Sequence, residues 1–159
     1  MPVNTKTVAG RRELRFETYD DLLAEVERLG TVQVRLLGNW SLGQVFAHLA
    51  RGMAASMDGF PFSFNPVMRF LAKWFLKKRI LTKPLSAGFK APPTAGAMIP
   101  KETSTEEGLA ELRSAIARCQ NETGRVMHAF LGNLTLAEWE MFQLRHAEMH
   151  LSFVLPPEC

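Results

Sequence analysis

The chain has 159 residues, a net charge of +3 at neutral pH and a hydrophobic fraction of 47%. This length predicts one domain, residues 1–159, with a sizeable core. Two cysteines, Cys119 and Cys159, exclude a disulfide framework, and no uncharged apolar run approaches the length of a membrane span. Residues 1–12 lack the apolar core of a signal peptide, so we expect a reducing, cytoplasmic location.

The basic residues are unevenly distributed along the chain. Residues 59–101 contain eight Lys or Arg and no Asp or Glu, whereas the rest holds 11 basic and 16 acidic residues. A basic segment can meet an anionic substrate, a membrane surface or nucleic acid. Nucleic acid is the least expected of these partners, because the sequence lacks the common recognition modules.

Two amphipathic helices are predicted in the first third of the chain. Residues 1–13 are expected to be a flexible lead-in, and helix A follows over residues 18–30. Residues 31–37 then form a connection. A Ser-x-x-Gln capping box predicts the start of helix B, which covers residues 41–58. His48 lies at the edge of the apolar stripe of helix B.

Helix C is predicted over residues 66–81, after a Pro- and Phe-rich turn. One of its faces is apolar, and Arg69, Lys73 and Lys77 form a cationic row on another. This pattern fits a surface helix with a solvated basic face, and it also fits a helix that lies on a membrane surface. Residues 82–103 are rich in Pro, Gly, Ala and Ser and are expected to form a crossover or a lid.

Helix D is predicted to begin at a Ser-x-x-Glu capping box and to cover residues 104–130. His128 falls off its apolar stripe, so we expect it to pack at or cap the end of the helix. A turn at Gly132 and Asn133 leads into the last helix. Because this connection is short, helices D and E are expected to be antiparallel neighbours.

Helix E begins at a Thr-x-x-Glu capping box, covers residues 135–155 and carries two histidines, His146 and His150, one turn apart. Residues four apart on a helix lie about 6 Å from each other on one face, so the two imidazoles can share one metal ion. Both lie on the apolar stripe and therefore point into the interior. The sequence HAEMH is not an HExxH motif, and Glu148 is expected to point away from the stripe.

The predicted fold is all-α, a four-helix bundle with helix C as an accessory element. If helices B and E pack together, His48 joins His146 and His150 in the interior. Three imidazoles with an open fourth position suit zinc or a similar divalent ion, which can activate water or a thiol. The alternative is that these histidines are hydrogen-bonded polar groups of the core.

Two segments resemble the DinB/YfiT-like superfamily. Residues 38–50, GNWSLGQVFAHLA, resemble its helix that opens with Trp and ends in His. Residues 128–151 resemble the last helix of one branch, which is known mainly as a domain of unknown function. The residues that match are His128, Gly132, Leu134, Thr135, Trp139, His146 and His150. Ala129, Glu148 and Met149 depart from the pattern of the branch, where Pro, Asp and His are usual.

The resemblance implies a four-helix bundle with a long crossover. It also implies a divalent metal, often nickel or zinc, bound by His48, His146 and His150. Related proteins include transferases and isomerases that use a low-molecular-weight thiol as cosubstrate, and proteins described as metal-dependent hydrolases. Such relatives are often homodimers.

Two functional hypotheses follow from the sequence. In the first, the protein is a metal-dependent enzyme of hydrolase or thiol-dependent transferase type. Its small-molecule substrate would be anionic if the basic segment attracts it. In the second, the protein is a non-catalytic bundle that acts through a homodimer or through contact of residues 66–81 with a membrane surface.

Overall fold

The computed structural model describes residues 1–89 and 92–157, so Cys159 lies outside the described residues. The fold is an all-α bundle, as predicted. The helices are α1 (Tyr19–Gly30), α2 (Leu42–Asp58), α3 (Pro66–Phe75), α4 (Lys77–Thr82), α5 (Thr105–Asn121) and α6 (Leu136–Leu151). A 3₁₀-helix covers Pro93–Met98, and two short strands are β1 (Arg35–Leu36) and β2 (Val154–Leu155).

Capping boxes set the starts of the four long helices. In each box the hydroxyl of the capping residue accepts the N–H of the third helical residue, whose side chain accepts the N–H of the cap. The three boxes predicted from the sequence are present, and helix α1 has a fourth. The pairs are Thr18–Asp21, Ser41–Gln44, Ser104–Glu107 and Thr135–Glu138.

The two central helices, α2 and α5, run parallel to each other. Gly43 meets Gly108 at their starts, and Arg118 forms an ion pair of 2.8 Å with Asp58 at their ends. Two parallel neighbours cannot be joined by a short turn, so the chain needs the long crossover of residues 59–104. This crossover carries α3, α4 and the 3₁₀-helix.

Helices α1 and α6 run opposite to the central pair. Gly30, at the end of α1, lies against Leu109 near the start of α5. Gln143 of α6 donates to the carbonyl of Gly52 in α2 at 3.3 Å. Among the four long helices, the pairs in close contact are α1–α5, α5–α2, α2–α6 and α6–α1. Helices α5 and α6 therefore lie diagonally opposite each other in the bundle. The expectation that helices D and E are neighbours is therefore wrong.

Helix α5 ends at Asn121, nine residues before the predicted end at Phe130. The Arg125 guanidinium donates to the carbonyls of Cys119 and Glu122 at 2.8 Å each, so carbonyl groups at the end of the helix have hydrogen-bond partners. These hydrogen bonds replace the continued helix. The chain then runs as an irregular segment whose Val126 N–H donates to the carbonyl of Ser56.

The predicted helix C is divided at Leu76. Helix α4 packs against α6, where Lys77 forms an ion pair of 2.7 Å with Glu138, while α3 extends away from the core. The predicted helix E ends at Leu151 and is followed by β2, which pairs antiparallel with β1. Within the described residues no helix is long and apolar enough to cross a membrane.

Candidate metal centre

Three histidines come together where α2 and α6 cross. His48 lies in the middle of α2, and His146 and His150 lie one turn apart near the end of α6. The Nε2 atom of His146 is 3.3 Å from Nε2 of His48 and 3.0 Å from Nε2 of His150. One ring nitrogen from each residue lies within 4.8 Å of the other two. The convergence expected from the sequence is present.

A backbone carbonyl fixes the tautomer of His48. Its Nδ1–H donates to the carbonyl oxygen of Met98 at 2.8 Å, and a carbonyl can only accept. The hydrogen of the neutral ring is therefore on Nδ1, and Nε2 directs a lone pair at the other two rings. Metal-bound histidines are commonly oriented by such a bond from the other nitrogen.

The close contacts of His146 cannot all be hydrogen bonds. Nδ1 of His146 is buried beside Gly52 and has no hydrogen-bond partner among the described residues. Its Nε2 faces two other nitrogens, and Nε2 of His48 is bare. The neutral rings of His146 and His150 carry one hydrogen each. Whichever nitrogens hold these hydrogens, at least one of the two Nε2–Nε2 contacts of His146 lacks a well-directed hydrogen bond. A cation removes this conflict because it accepts all three lone pairs.

The donor set and its spacing fit a divalent metal ion. Two nitrogens bound to one tetrahedral zinc at about 2.0–2.1 Å lie about 3.3 Å apart, close to the separations around His146. Burial lowers the pKa of His48, lowers the pKa of His146 to about 3 and lowers the pKa of His150 well below its usual value. The rings are therefore neutral at pH 7, which is the form that binds metal.

The cluster lies in the wall of a cavity of about 580 Å³. Trp40 stacks on the His150 ring at 5.4 Å and 12°, and Phe142 stacks on the His146 ring at 5.9 Å and 19°. No charged side chain is found among the described residues that line the cavity. The lining is mainly apolar and includes Phe60, Phe62, Phe64, Ile80, Phe130 and Met149.

Comparison with known proteins gives a family but no activity. A family model described as "Protein of unknown function (DUF1569)" matches residues 8–157. The chain belongs to this family. No curated protein and no solved structure matches the chain significantly.

His128 of this DUF1569 chain lies in the cavity wall but outside the cluster of three histidines. It is buried against Phe142, with ring centroids 4.4 Å apart, and Trp139, at 5.1 Å. Its Nδ1 accepts the N–H groups of Phe130 and Leu131 at 3.0 and 2.9 Å. His128 therefore caps a tight turn and not the end of a helix, which corrects the expected role.

Two features of the DUF1569 site were missed in the sequence. The Met98 carbonyl lies at the end of the 3₁₀-helix Pro93–Met98, and a backbone acceptor leaves no mark in the residue pattern. Trp40 marks the start of the segment that resembles the superfamily, and its aromatic ring next to a histidine-bearing helix was a usable signal for a contact with the histidines. Glu148 points away from the cavity, as expected, but it is buried in an ion pair with Arg145.

The Arg145–Glu148 pair connects the N-terminal segment to α6. Glu148 accepts the N–H of Phe16 at 2.7 Å, and Arg145 donates to the carbonyl of the same residue. Both charged side chains are therefore hydrogen-bonded as well as paired, which a buried ion pair requires. This pair holds the N-terminal segment on the side of α6 that faces away from the three clustered histidines.

Proposed function

We propose that this protein is a metal-dependent enzyme in which His48, His146 and His150 hold one divalent ion. The observation that carries the proposal is the convergence of three Nε2 atoms in the wall of an apolar cavity. A divalent ion with three protein nitrogens keeps an open position, where it lowers the pKa of water or of a thiol at neutral pH. The resemblance to the DinB/YfiT-like superfamily supports the same three ligands.

The protein's own residues orient and shield this centre. Met98 holds the ring of His48 through its carbonyl, and Trp40 and Phe142 fix the planes of His150 and His146 by stacking. The apolar wall excludes bulk water, which strengthens electrostatic interactions inside the cavity. No Asp or Glu lines the described part of the cavity, so the nucleophile must be activated by the metal itself.

The cavity favours a small, mainly apolar substrate. Its lining is dominated by Phe, Trp, Met and Ile side chains, and its volume of about 580 Å³ suits a molecule of drug-like size. Lys78 and Arg79 of the basic segment are absent from the described lining. A hydrolase or a thiol-dependent transferase acting on such a substrate is the reaction class that we propose.

Metal analysis tests the proposal most directly. Wild-type protein from cells grown with added zinc and nickel, then dialysed, is expected to contain about one equivalent of divalent metal, measured by mass spectrometry. His146→Ala removes the central nitrogen and should lose most of this metal. His128→Asn, in the same cavity but outside the cluster, should retain it. Wild-type protein without metal after reconstitution would contradict the proposal.

A further inference from the structure

Helix α3 turns its apolar residues toward solvent. Of its ten residues only Ala72 is buried. Phe70 is 60% exposed, Trp74 68% and Phe75 76%. A surface helix of a globular protein normally buries its apolar stripe and exposes its polar face, so α3 is reversed relative to the usual arrangement.

The exposed residues form one continuous apolar arc. At 100° per residue, Val67, Phe70, Leu71, Trp74 and Phe75 cover about 140° of the helix surface, and Met68 extends the arc to about 160°. All six are at least 44% exposed. Among the helices, α3 packs closely only against α4, so the arc stands out from the bundle as a ridge. Contiguous apolar surface of this kind marks an interaction site.

Unpaired cations flank the ridge. Lys73 lies beside the edge of the arc, and Lys78 and Arg79 follow at the start of α4. All three are exposed, and none has a carboxylate partner within the part of the chain that the structure describes. Residues 59–101 contain no Asp or Glu at all.

This combination selects an anionic membrane surface over a second copy of the chain. A symmetric dimer through α3 would bring together two copies of a basic segment that contains no acidic residue, and like charges disfavour such a contact. Anionic lipid headgroups complement the cations, while Trp and Phe side chains insert at the boundary with the acyl chains. A protruding ridge suits a deformable surface better than it suits a preformed groove.

We propose that the apolar ridge of α3, with Lys73, Lys78 and Arg79, docks this protein peripherally on anionic membranes. The ridge would lie in the plane of the interface, with its apolar arc at the headgroup boundary. This inference does not depend on the metal centre, since no residue of the ridge lines the cavity.

Vesicle co-sedimentation tests the docking. Wild-type protein should bind phosphatidylcholine vesicles that contain phosphatidylglycerol, bind poorly to phosphatidylcholine alone, and dissociate at high salt. The double variant Trp74→Ala/Phe75→Ala keeps every charge and should lose at least about tenfold in affinity, because two large side chains no longer insert. Lys73→Gln/Lys78→Gln/Arg79→Gln keeps the ridge and should lose the dependence on salt and on anionic lipid.

Two controls make the outcome specific. Arg28→Gln/Arg35→Gln/Arg113→Gln removes the same net charge from exposed sites outside the crossover and should bind like wild type. Trp74 fluorescence should shift to shorter wavelength on addition of anionic vesicles, and Trp74→Phe should abolish the shift while retaining binding. Circular dichroism checks that each variant is folded.

Three results would overturn the proposal. The first is wild-type protein that stays in the supernatant with anionic vesicles at low salt. The second is binding that the Trp74→Ala/Phe75→Ala variant retains in full. The third is a concentration-dependent dimer, seen by analytical ultracentrifugation, that the same double variant dissociates, because the ridge would then belong to a second copy of the chain.

Discussion

His48 and His128 differ in the role that the backbone gives to the same ring nitrogen, Nδ1. Nδ1 of His48 donates to a carbonyl, whereas Nδ1 of His128 accepts two amide hydrogens. His48 therefore presents a bare Nε2, and His128 carries its hydrogen on Nε2. A nitrogen that carries a hydrogen cannot bind a metal ion, so His128 is a wall residue and not a fourth ligand.

His128 should make the fold sensitive to acid. Burial lowers its pKa to about 4 from 6.5. Below pH 6.5 the unfolded state binds this proton and the folded state does not, so stability falls as the pH drops from about 6.5 to about 4. The full loss is on the order of 3 kcal/mol. Asparagine keeps an acceptor for the two amides but does not titrate, so His128→Asn should have a shallower acid slope.

Urea unfolding of both proteins at pH 7 and near pH 4.5 checks this prediction. The two proteins are compared by the slope of the free energy of unfolding against pH, because the smaller asparagine side chain lowers stability at every pH. The other three histidines are present in both proteins, so the difference between the slopes reports on His128. Equal slopes for wild type and variant would show that His128 does not remain neutral in the folded state.

At the level of elements, the crossing of α2 and α5 depends on two glycines. A Cβ on Gly43 would collide with the carbonyl groups of Thr103 and Ser104, and a Cβ on Gly108 would collide with the carbonyl of Gly43. Backbone atoms cannot move aside as a flexible side chain can. The close approach of the two helix starts therefore requires glycine at both positions.

We expect Gly43→Ala and Gly108→Ala each to lower the free energy of unfolding by about 1–3 kcal/mol, the usual cost of overpacking. Gly52→Ala is the matched control in the same helix. Its Cβ would lie 3.6 Å from the His146 ring, an ordinary contact, and alanine favours helix by up to about 1 kcal/mol. Chemical denaturation measures all three, and a Gly43→Ala variant as stable as Gly52→Ala would contradict the clash.

The starts of the long helices were predictable from the sequence, and so were the ends of α1 at Gly30 and α2 at Asp58, whereas the ends of α5 and α6 were not. A capping box is a local signal of two side chains, and all three predicted boxes are present. The end of α5 depends on Arg125 reaching back to two carbonyls, while the apolar spacing continues past it to Phe130. Periodicity records which residues are apolar, and apolar residues of an irregular segment can continue the same spacing by chance.

At the scale of the whole molecule, the candidate site was predictable in part. The i, i+4 spacing placed His146 and His150 on one helix face, and packing of α2 on α6 brought His48 to them. The wall of the cavity was not predictable, because the crossover supplies much of it through Phe60, Phe64 and the 3₁₀-helix. Where a long irregular segment lies on a bundle depends on tertiary contacts and not on a repeating pattern.

A bound metal should stabilise the whole fold, because its ligands come from two helices. A ligand at a thousand times its dissociation constant stabilises the native state by about 4 kcal/mol. Zinc should therefore raise the unfolding temperature of wild-type protein, and a chelator should reverse the shift. Differential scanning calorimetry measures the effect, and His146→Ala should show neither response. An equal rise in the unfolding temperature of that variant would show that the stabilising zinc binds at another site.

The hydrogen bond from His48 to Met98 has a consequence for any mutational survey of this protein. The acceptor is a main-chain oxygen, so replacing the Met98 side chain leaves it in place. A residue-by-residue alanine scan would therefore miss this contact at position 98, although its peptide unit selects which nitrogen of His48 faces His146. Only a change of backbone chemistry or a nick in the crossover would reveal it, as a histidine that has lost its orientation.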